Sequence, residues 1–116
     1  MSVEMQPAQA LRLLHDFSYA LVLDHEPDLS PRQMAVLLTI YLEPLPHTVR
    51  GLAARLGVTK PVITRALDTL GKLELVSRRR DDADRRNMLI QRTARGAQAV
   101  DRLGELLAAK ARELPA

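Results

Sequence analysis

The sequence predicts a mainly α-helical fold with one small β-hairpin, which places it in the α+β class. Apolar residues recur at helical spacing in five segments. Two short stretches, residues 75–80 and 87–92, have the composition of strands. Only the charged residues 81–86 separate these stretches. The chain has 116 residues, of which 47% are hydrophobic, so we expect a single domain over residues 1–116 with one modest core.

The composition argues against several kinds of site. The chain has no cysteine, which excludes disulfides, thiolate metal sites and a thiol redox switch. We find no glycine-rich phosphate loop, no nucleophile motif and no His-Glu-x-x-His, so we expect no enzyme activity, no cofactor and no metal. Since no apolar run is long enough to span a bilayer and the N-terminus lacks a signal-peptide pattern, we expect a cytoplasmic protein without a membrane partner.

The charge is distributed unevenly along the chain. Residues 1–47 contain two basic side chains against six acidic ones, whereas residues 48–95 contain twelve basic against five acidic. No acidic residue lies between Pro44 and Leu67, a stretch that includes Arg50, Arg55, Lys60 and Arg65. Such an asymmetry is typical of a surface that binds nucleic acid.

The first two helices are expected to be structural. In residues 7–23 the stripe consists of Leu11, Leu14, Phe17 or Ser18, and Leu21, widened by Leu13 and Val22. The acidic loop 24–28 holds His25 among three carboxylates, but we interpret it as solvated because no second His or Cys lies at ligand spacing. We treat the isolated His15 and His47 in the same way.

The second helix begins with a clear signal. Ser30 is the N-cap, Pro31 takes the first helical position, Gln33 completes a capping box, and Leu29 packs on Met34. The predicted buried stripe is Met34, Leu37, Leu38, Tyr41 and Leu42, and residues 43–46 end the helix.

A helix-turn-helix is predicted next. A very short strand at residues 48–49 precedes a helix over residues 50–56, and Gly57 supplies the turn at positive φ. Thr59 is the expected N-cap of the next helix, its hydroxyl accepting from the first turn. Ile63, Ala66, Leu67 and Leu70 form the buried stripe of that helix. Its outer face presents Lys60, Thr64 and Arg65, side chains of the types that contact bases and phosphates in a major groove.

A β-hairpin with a charged tip follows. Residues 75–80 and 87–92 have strand character, and residues 81–86 are too polar to be buried. Arginines at the tip of such a "wing" suit a narrow, electronegative minor groove. We expect Asp84, which is adjacent to Arg85, to orient an arginine, with Arg78 to Arg80 on the strand as further partners. A plain solvated hairpin is the alternative.

The last helix, over residues 94–114, is expected to begin at an N-cap formed by Thr93. Its stripe is Ala97, Val100, Leu103, Leu107 and Ala111, with Leu106 and Leu114 beside it. Together the first and last helices carry more apolar surface than one small core needs, which favours a homodimer.

This order of parts resembles the MarR family of bacterial transcription regulators. The resemblance rests on Leu52-Ala53-Ala54-Arg55-Leu56-Gly57-Val58-Thr59-Lys60-Pro61-Val62-Ile63-Thr64-Arg65-Ala66-Leu67-Asp68-Thr69-Leu70, Leu75-Val76-Ser77-Arg78-Arg79, Asp84-Arg85-Arg86 and Arg92-Thr93-Ala94-Arg95-Gly96. It implies a winged helix-turn-helix over about residues 29–96, with terminal helices (residues 7–23 and 94–114) that form a homodimer.

The resemblance also implies a function. We expect a sequence-specific binder of double-stranded DNA that regulates transcription as a repressor, with an effector, small molecule or protein, that the sequence does not identify. The expected DNA-binding residues are Thr59, Lys60, Pro61, Thr64, Arg65, Arg78, Arg80, Asp84, Arg85 and Arg86. The alternative function is a winged-helix module whose basic face docks an acidic protein partner.

Overall fold

A computed structural model describes residues 2–25 and 27–115. In these ranges the chain forms five helices and a three-stranded antiparallel sheet. The elements are α1 (Pro7–Leu23), α2 (Pro31–Leu42), β1 (His47–Thr48), α3 (Val49–Leu56), α4 (Lys60–Lys72), β2 (Val76–Arg80), β3 (Met88–Arg92) and α5 (Ala94–Arg112). The predicted fold class, mainly α with a small hairpin, is therefore confirmed.

The chain divides into two compact units, and α5 begins in one and ends in the other. The first unit comprises Met1–Asp28 and Asp101–Ala116, and the second comprises Leu29–Val100. In the first unit, Arg102 Nε donates to Asp24 Oδ2 at 2.8 Å, and the Gln9 amide donates to the Pro115 carbonyl at 3.3 Å. The single domain over residues 1–116 stays a prediction.

The first unit leaves much of its apolar surface exposed. No residue of α1 is buried, and Leu11, Leu14 and Val22 are each more than 60% exposed. In α5, Leu103 and Leu106 are half-buried, whereas Leu107, which we expected in the stripe, is 40% exposed. The loop after α1 includes the exposed His25, and Glu26 of the predicted acidic loop lies outside the described residues.

The second unit contains a closely packed aliphatic core. Its buried apolar side chains are Val36, Leu37, Ile40, Leu52, Ala53, Ile63, Ala66, Leu67, Leu70, Val76 and Ile90. All four residues of the predicted α4 stripe are in this set, because they share one apolar face and the outer face of α4 is mostly polar.

The predicted stripe of α2 is partly wrong. Leu42 is 71% exposed, and Val36 and Ile40 are fully buried instead. Nearly every residue of α2 after Gln33 is apolar, so sequence periodicity does not select one face of this helix. The start of α2 agrees with the prediction, since the Ser30 hydroxyl accepts from Gln33 N at 3.1 Å and the Gln33 amide oxygen accepts from Ser30 N at 2.9 Å.

The sheet has the strand order β1-β3-β2, with both pairs antiparallel. In β1, Thr48 lies opposite Leu89, and in β2, Arg80 lies opposite Met88. The short strand occupies residues 47–48, one residue earlier than predicted. The prediction of a solvated His47 is wrong, because the residue is 6% exposed and its Nε2 lies 3.1 Å from the Glu43 carbonyl oxygen.

Candidate nucleic-acid interface

Helices α3 and α4 form the predicted helix-turn-helix. The Thr48 hydroxyl accepts from Gly51 N at 2.9 Å and caps α3, and Gly57 ends that helix with a φ of 66°. This left-handed conformation costs glycine little, because it has no Cβ to meet the following carbonyl. Leu52 and Ala53 of α3 belong to the same buried cluster as the inner face of α4. The core therefore fixes which face of α4 points outward.

The outer face of α4 carries the side chains that the sequence singled out for DNA. Thr59, Lys60, Pro61, Thr64 and Arg65 are all exposed. Thr59 has the extended backbone of an N-cap, but the predicted cap hydrogen bond is absent among the described residues, so that detail was wrong. The hydroxyl is thus available to an external partner, as are the ammonium of Lys60 and the guanidinium of Arg65.

At the wing tip, Asp84 holds Arg86 in a two-point contact. Arg86 Nε donates to Asp84 Oδ1 at 3.0 Å, and Arg86 Nη2 donates to Asp84 Oδ2 at 3.1 Å. The backbone N–H of Arg86 also donates to Asp84 Oδ1, at 3.1 Å. These bonds hold the pKa of Asp84 below its usual value of 3.8, first through the Arg86 guanidinium and then through the Arg86 amide.

Asp84 therefore orients Arg86 rather than its direct neighbour Arg85. A carboxylate can chelate a guanidinium two residues along the chain when the intervening residue forms a turn, and backbone hydrogen bonds make this tip such a turn. Asn87 N donates to the Asp84 carbonyl at 2.9 Å, and Asp81 N donates to the Asn87 carbonyl at 3.0 Å. Arg85 is left 76% exposed, with Asp82 4.0 Å away.

The three arginines of β2 have partners within the wing or on α4. Arg78 Nη2 donates to Asp68 of α4 at 2.9 Å, and Arg79 lies 3.8 Å from Asp82. Arg80 Nη1 donates to the Arg85 carbonyl at 3.0 Å. None of them pairs with Asp84, so the predicted further partnership is wrong. Instead, Arg78 links the wing to the outer side of α4, and Arg80 stiffens the tip.

The base of the wing is held by residues that the sequence analysis did not assign to the site. The Tyr41 hydroxyl donates to the Leu75 carbonyl at 2.6 Å and accepts from Thr93 N at 3.0 Å. Arg92 Nε donates to the Ile40 carbonyl at 2.8 Å, at the end of α2. These bonds tie both ends of the hairpin to α2.

Gly96 completes this junction at the start of α5. A Cβ on Gly96 would overlap the Tyr41 hydroxyl and the Leu75 carbonyl oxygen. Thr93, as predicted, caps α5, because its hydroxyl accepts from Gly96 N at 2.9 Å, and it also donates to the Glu74 carbonyl at 2.8 Å. The only sequence signal for this junction is the run of residues 92–96, because the bonds join segments about 20 and 50 residues apart.

Two further properties concern other kinds of site. Within residues 2–25 and 27–115, no group of three or more His, Asp and Glu side chains is placed to hold a metal ion. No helix in the same part of the chain is both long enough and apolar enough to cross a membrane.

The matching family model is that of the MarR family, over residues 28–87. This match spans the helix-turn-helix and the wing tip, and it covers more than half of the chain. The chain belongs to the MarR family. Its members are transcriptional regulators, and the winged helix-turn-helix described above is their DNA-binding fold.

Solved structures of other MarR-family regulators are similar to this chain. The transcriptional repressor CouR, bound to a 23-mer DNA duplex, is 27% identical with a TM-score of 0.71, over 91% of this chain and 72% of that one. BldR from Sulfolobus solfataricus is 28% identical with a TM-score of 0.63, over 94% and 84% of the two chains. A transcriptional regulator from Thermotoga maritima shares the fold at 24% identity and a TM-score of 0.69, over 86% and 68%. The comparison with curated proteins found no matching sequence.

Proposed function

We propose that this MarR-family chain is a homodimeric repressor that binds specific double-stranded DNA in the cytoplasm. In this proposal α4 enters the major groove, and the wing arginines contact the adjacent minor groove. The observation that carries the proposal is the pair of exposed basic surfaces on one folded unit: the outer face of α4 and the tip where Asp84 orients Arg86.

The chemistry of the two surfaces supports different tasks. Arg65 is exposed on α4 and has the planar, two-point donor geometry that suits the O6 and N7 atoms of guanine. Thr59, Pro61 and Thr64 are small enough to let the helix approach base edges, and Lys60 offers a point charge. At the wing, a guanidinium already held by a carboxylate loses less conformational freedom when it enters a narrow groove.

Repression and dimerisation rest on separate support. CouR is described as a repressor in its DNA complex, and it is 27% identical to this chain. The exposed leucines of α1 provide an apolar surface that a second copy can cover. A two-fold dimer presents two copies of α4 to a pseudo-palindromic site, which is how one small unit reads a long sequence.

The test of this proposal is selection from a library of random duplexes, followed by affinity measurements on the selected sequence and on a scrambled one. We expect a clear preference for the selected sequence and an affinity that falls steeply with salt. Arg65→Ala should cost about 1–3 kcal/mol on the selected sequence and relax its specificity. Failure of the library to converge, or equal affinity for both duplexes, would favour a basic face that docks an acidic protein.

A further inference from the structure

Most basic side chains around the helix-turn-helix and the wing already have a partner within the chain. Arg78 pairs with Asp68, Arg79 lies near Asp82, and Arg86 pairs with Asp84. On α3, Arg55 lies 3.5 Å from Glu43. A guanidinium that is paired with a carboxylate contributes less net positive charge to a phosphate contact than one that is free.

Arg50 differs from these arginines. It is exposed, and among residues 2–25 and 27–115 its guanidinium has neither an ion pair nor a hydrogen bond to a carboxylate. It shares this property with Lys60 and Arg65, which the proposed function already assigns to DNA. In the sequence, Arg50 stands out only as a member of the basic stretch between Pro44 and Leu67.

Arg50 lies on the element that connects the two proposed DNA-binding surfaces along the chain. It is the second residue of α3, directly after β1, and Thr48 of β1 pairs with Leu89 of the wing strand β3. The positive charge of Arg50 also reaches the wing tip, where it adds a small contribution to the lowering of the Asp84 pKa, after the larger effect of Arg86. Arg50 therefore lies on α3, close in sequence to the strand that pairs with the wing.

We propose that Arg50 binds a phosphate of the DNA backbone that runs between the major groove occupied by α4 and the minor groove occupied by the wing. The inference rests on the proposed function. One sugar-phosphate backbone separates two neighbouring grooves, so it must cross the protein between the two elements that occupy them. The chain joins the start of α3 to the wing through β1 and the end of α3 to α4 through the turn at Gly57. The exposed guanidinium of Arg50, which has no ion pair among the described residues, is a suitable ligand for the phosphates of that backbone.

A phosphate contact has a specific thermodynamic signature. Each neutralised phosphate contributes about 0.9 to the slope of log affinity against log salt. Over a fourfold rise in salt, from about 50 to about 200 mM, one contact therefore accounts for a loss of affinity of roughly 3.5-fold. Because phosphates carry no sequence information, the contribution of Arg50 is the same on preferred and scrambled duplexes.

The experiment compares the full-length parent with Arg50→Ala and Arg50→Lys on both duplexes across a salt series. We expect Arg50→Ala to reduce the slope by about one on each duplex, and Arg50→Lys to keep most of it, since a phosphate accepts a point charge. Arg32→Ala is the matched control. Arg32 is also exposed, lacks an ion pair among the described residues, and lies outside the helix-turn-helix and the wing, so its loss should leave the slope unchanged.

Any other result contradicts either the phosphate contact of Arg50 or the proposed DNA-binding function. An unchanged slope in Arg50→Ala, an equal reduction in Arg32→Ala, or a loss confined to the preferred duplex shows that Arg50 makes no such contact. These results leave the proposed function intact. A parent protein that binds neither duplex removes the proposed function itself, so the two failures are distinguishable. Circular dichroism of each variant verifies that it is folded.

Discussion

At the scale of single residues, Arg85 and Arg86 show how neighbours of the same type acquire different properties. Arg86 is held at two points by Asp84, whereas the nearest carboxylate oxygen to the Arg85 guanidinium, on Asp82, is 4.0 Å away. The first is therefore pre-oriented, and the second keeps more of its rotamer freedom. We expect Arg86 to be the residue that enters the minor groove and Arg85 to contact phosphate.

The Asp84–Arg86 pair gives a prediction about pH. The folded pKa of Asp84 lies below its usual value, so the pair is fully formed above the unfolded pKa of about 3.9 and is lost as the pH falls through the lowered folded value. A carboxyl ¹³C NMR titration should give Asp84 a midpoint below 3.8. In Arg86→Ala the midpoint should rise towards its ordinary range. A parent midpoint at or above that range would contradict the pairing.

At the scale of structural elements, the wing is a rigid unit because it is held at three places. Backbone hydrogen bonds close its tip, Arg78 ties β2 to Asp68 of α4, and the Tyr41 hydroxyl bonds to Leu75 and Thr93 at its base. A rigid hairpin can carry an arginine to a defined depth in a groove. A mobile hairpin would have to lose conformational entropy on binding.

The wing arginines should control the preference for sequences that flank the site. In the Arg85→Ala, Arg86→Ala double variant the salt slope should fall by about one, through the lost phosphate contact of Arg85, and any preference for A·T-rich flanks should disappear. Of the single variants, Arg86→Ala should remove the flank preference, and Arg85→Ala should weaken binding equally on both flanks. Binding curves on A·T-rich and G·C-rich flanks provide the measurement. A double variant that behaves as the parent does would show that the tip is only a solvated turn.

The junction at the base of the wing should tolerate no side chain at Gly96. A Cβ there would overlap the Tyr41 hydroxyl and the Leu75 carbonyl, so Gly96→Ala should lower the free energy of unfolding by about 1–3 kcal/mol. Gly104 provides a control in the same helix, because a Cβ there would have no atom within 4 Å. Gly104→Ala should raise stability by about 0.5–1 kcal/mol. Urea denaturation measures both, and equal effects would argue against the close approach at Gly96.

At the scale of the whole molecule, α1 exposes apolar side chains that nothing among the described residues of a single chain covers. Leu11, Leu14 and Val22 are more than 60% exposed although they form part of an apolar stripe. Apolar side chains on an exposed helix lose contact with water when a second copy covers them, at roughly 25 cal/mol per Å². The same surface in a monomer would favour association without a defined geometry.

The dimer should therefore depend on α1. Light scattering at micromolar concentration should give twice the chain mass of 12.9 kDa for the parent. Leu14→Glu with Val22→Glu should give the monomer, because burial would leave two unpaired charges at the interface. Leu45→Glu, at an exposed leucine outside the terminal helices, is the control and should remain dimeric. A monomeric parent that binds DNA as one chain per site would refute the two-fold arrangement.

Local sequence determined the positions of the helices and the turn. Ser30 with Gln33 specified the start of α2, Gly57 specified the end of α3, and the polar outer face of α4 left only Ile63, Ala66, Leu67 and Leu70 to be buried. These features depend on residues no more than about seven positions apart. Hydrogen-bond capping, backbone conformational freedom and helical periodicity therefore suffice to predict them.

Tertiary structure decided the features that involve a choice among similar residues. In the sequence, α2 is apolar on several faces. Packing against the core buries Val36 and Ile40 and leaves Leu42 exposed. Both Arg85 and Arg86 are close to Asp84 in the sequence, and the turn at the wing tip brings Arg86 into contact with it. The bonds of Tyr41 to residues 34 and 52 positions away had no local signal. Pairing between distant or competing partners depends on where the backbone carries them, and that path is set by the whole fold.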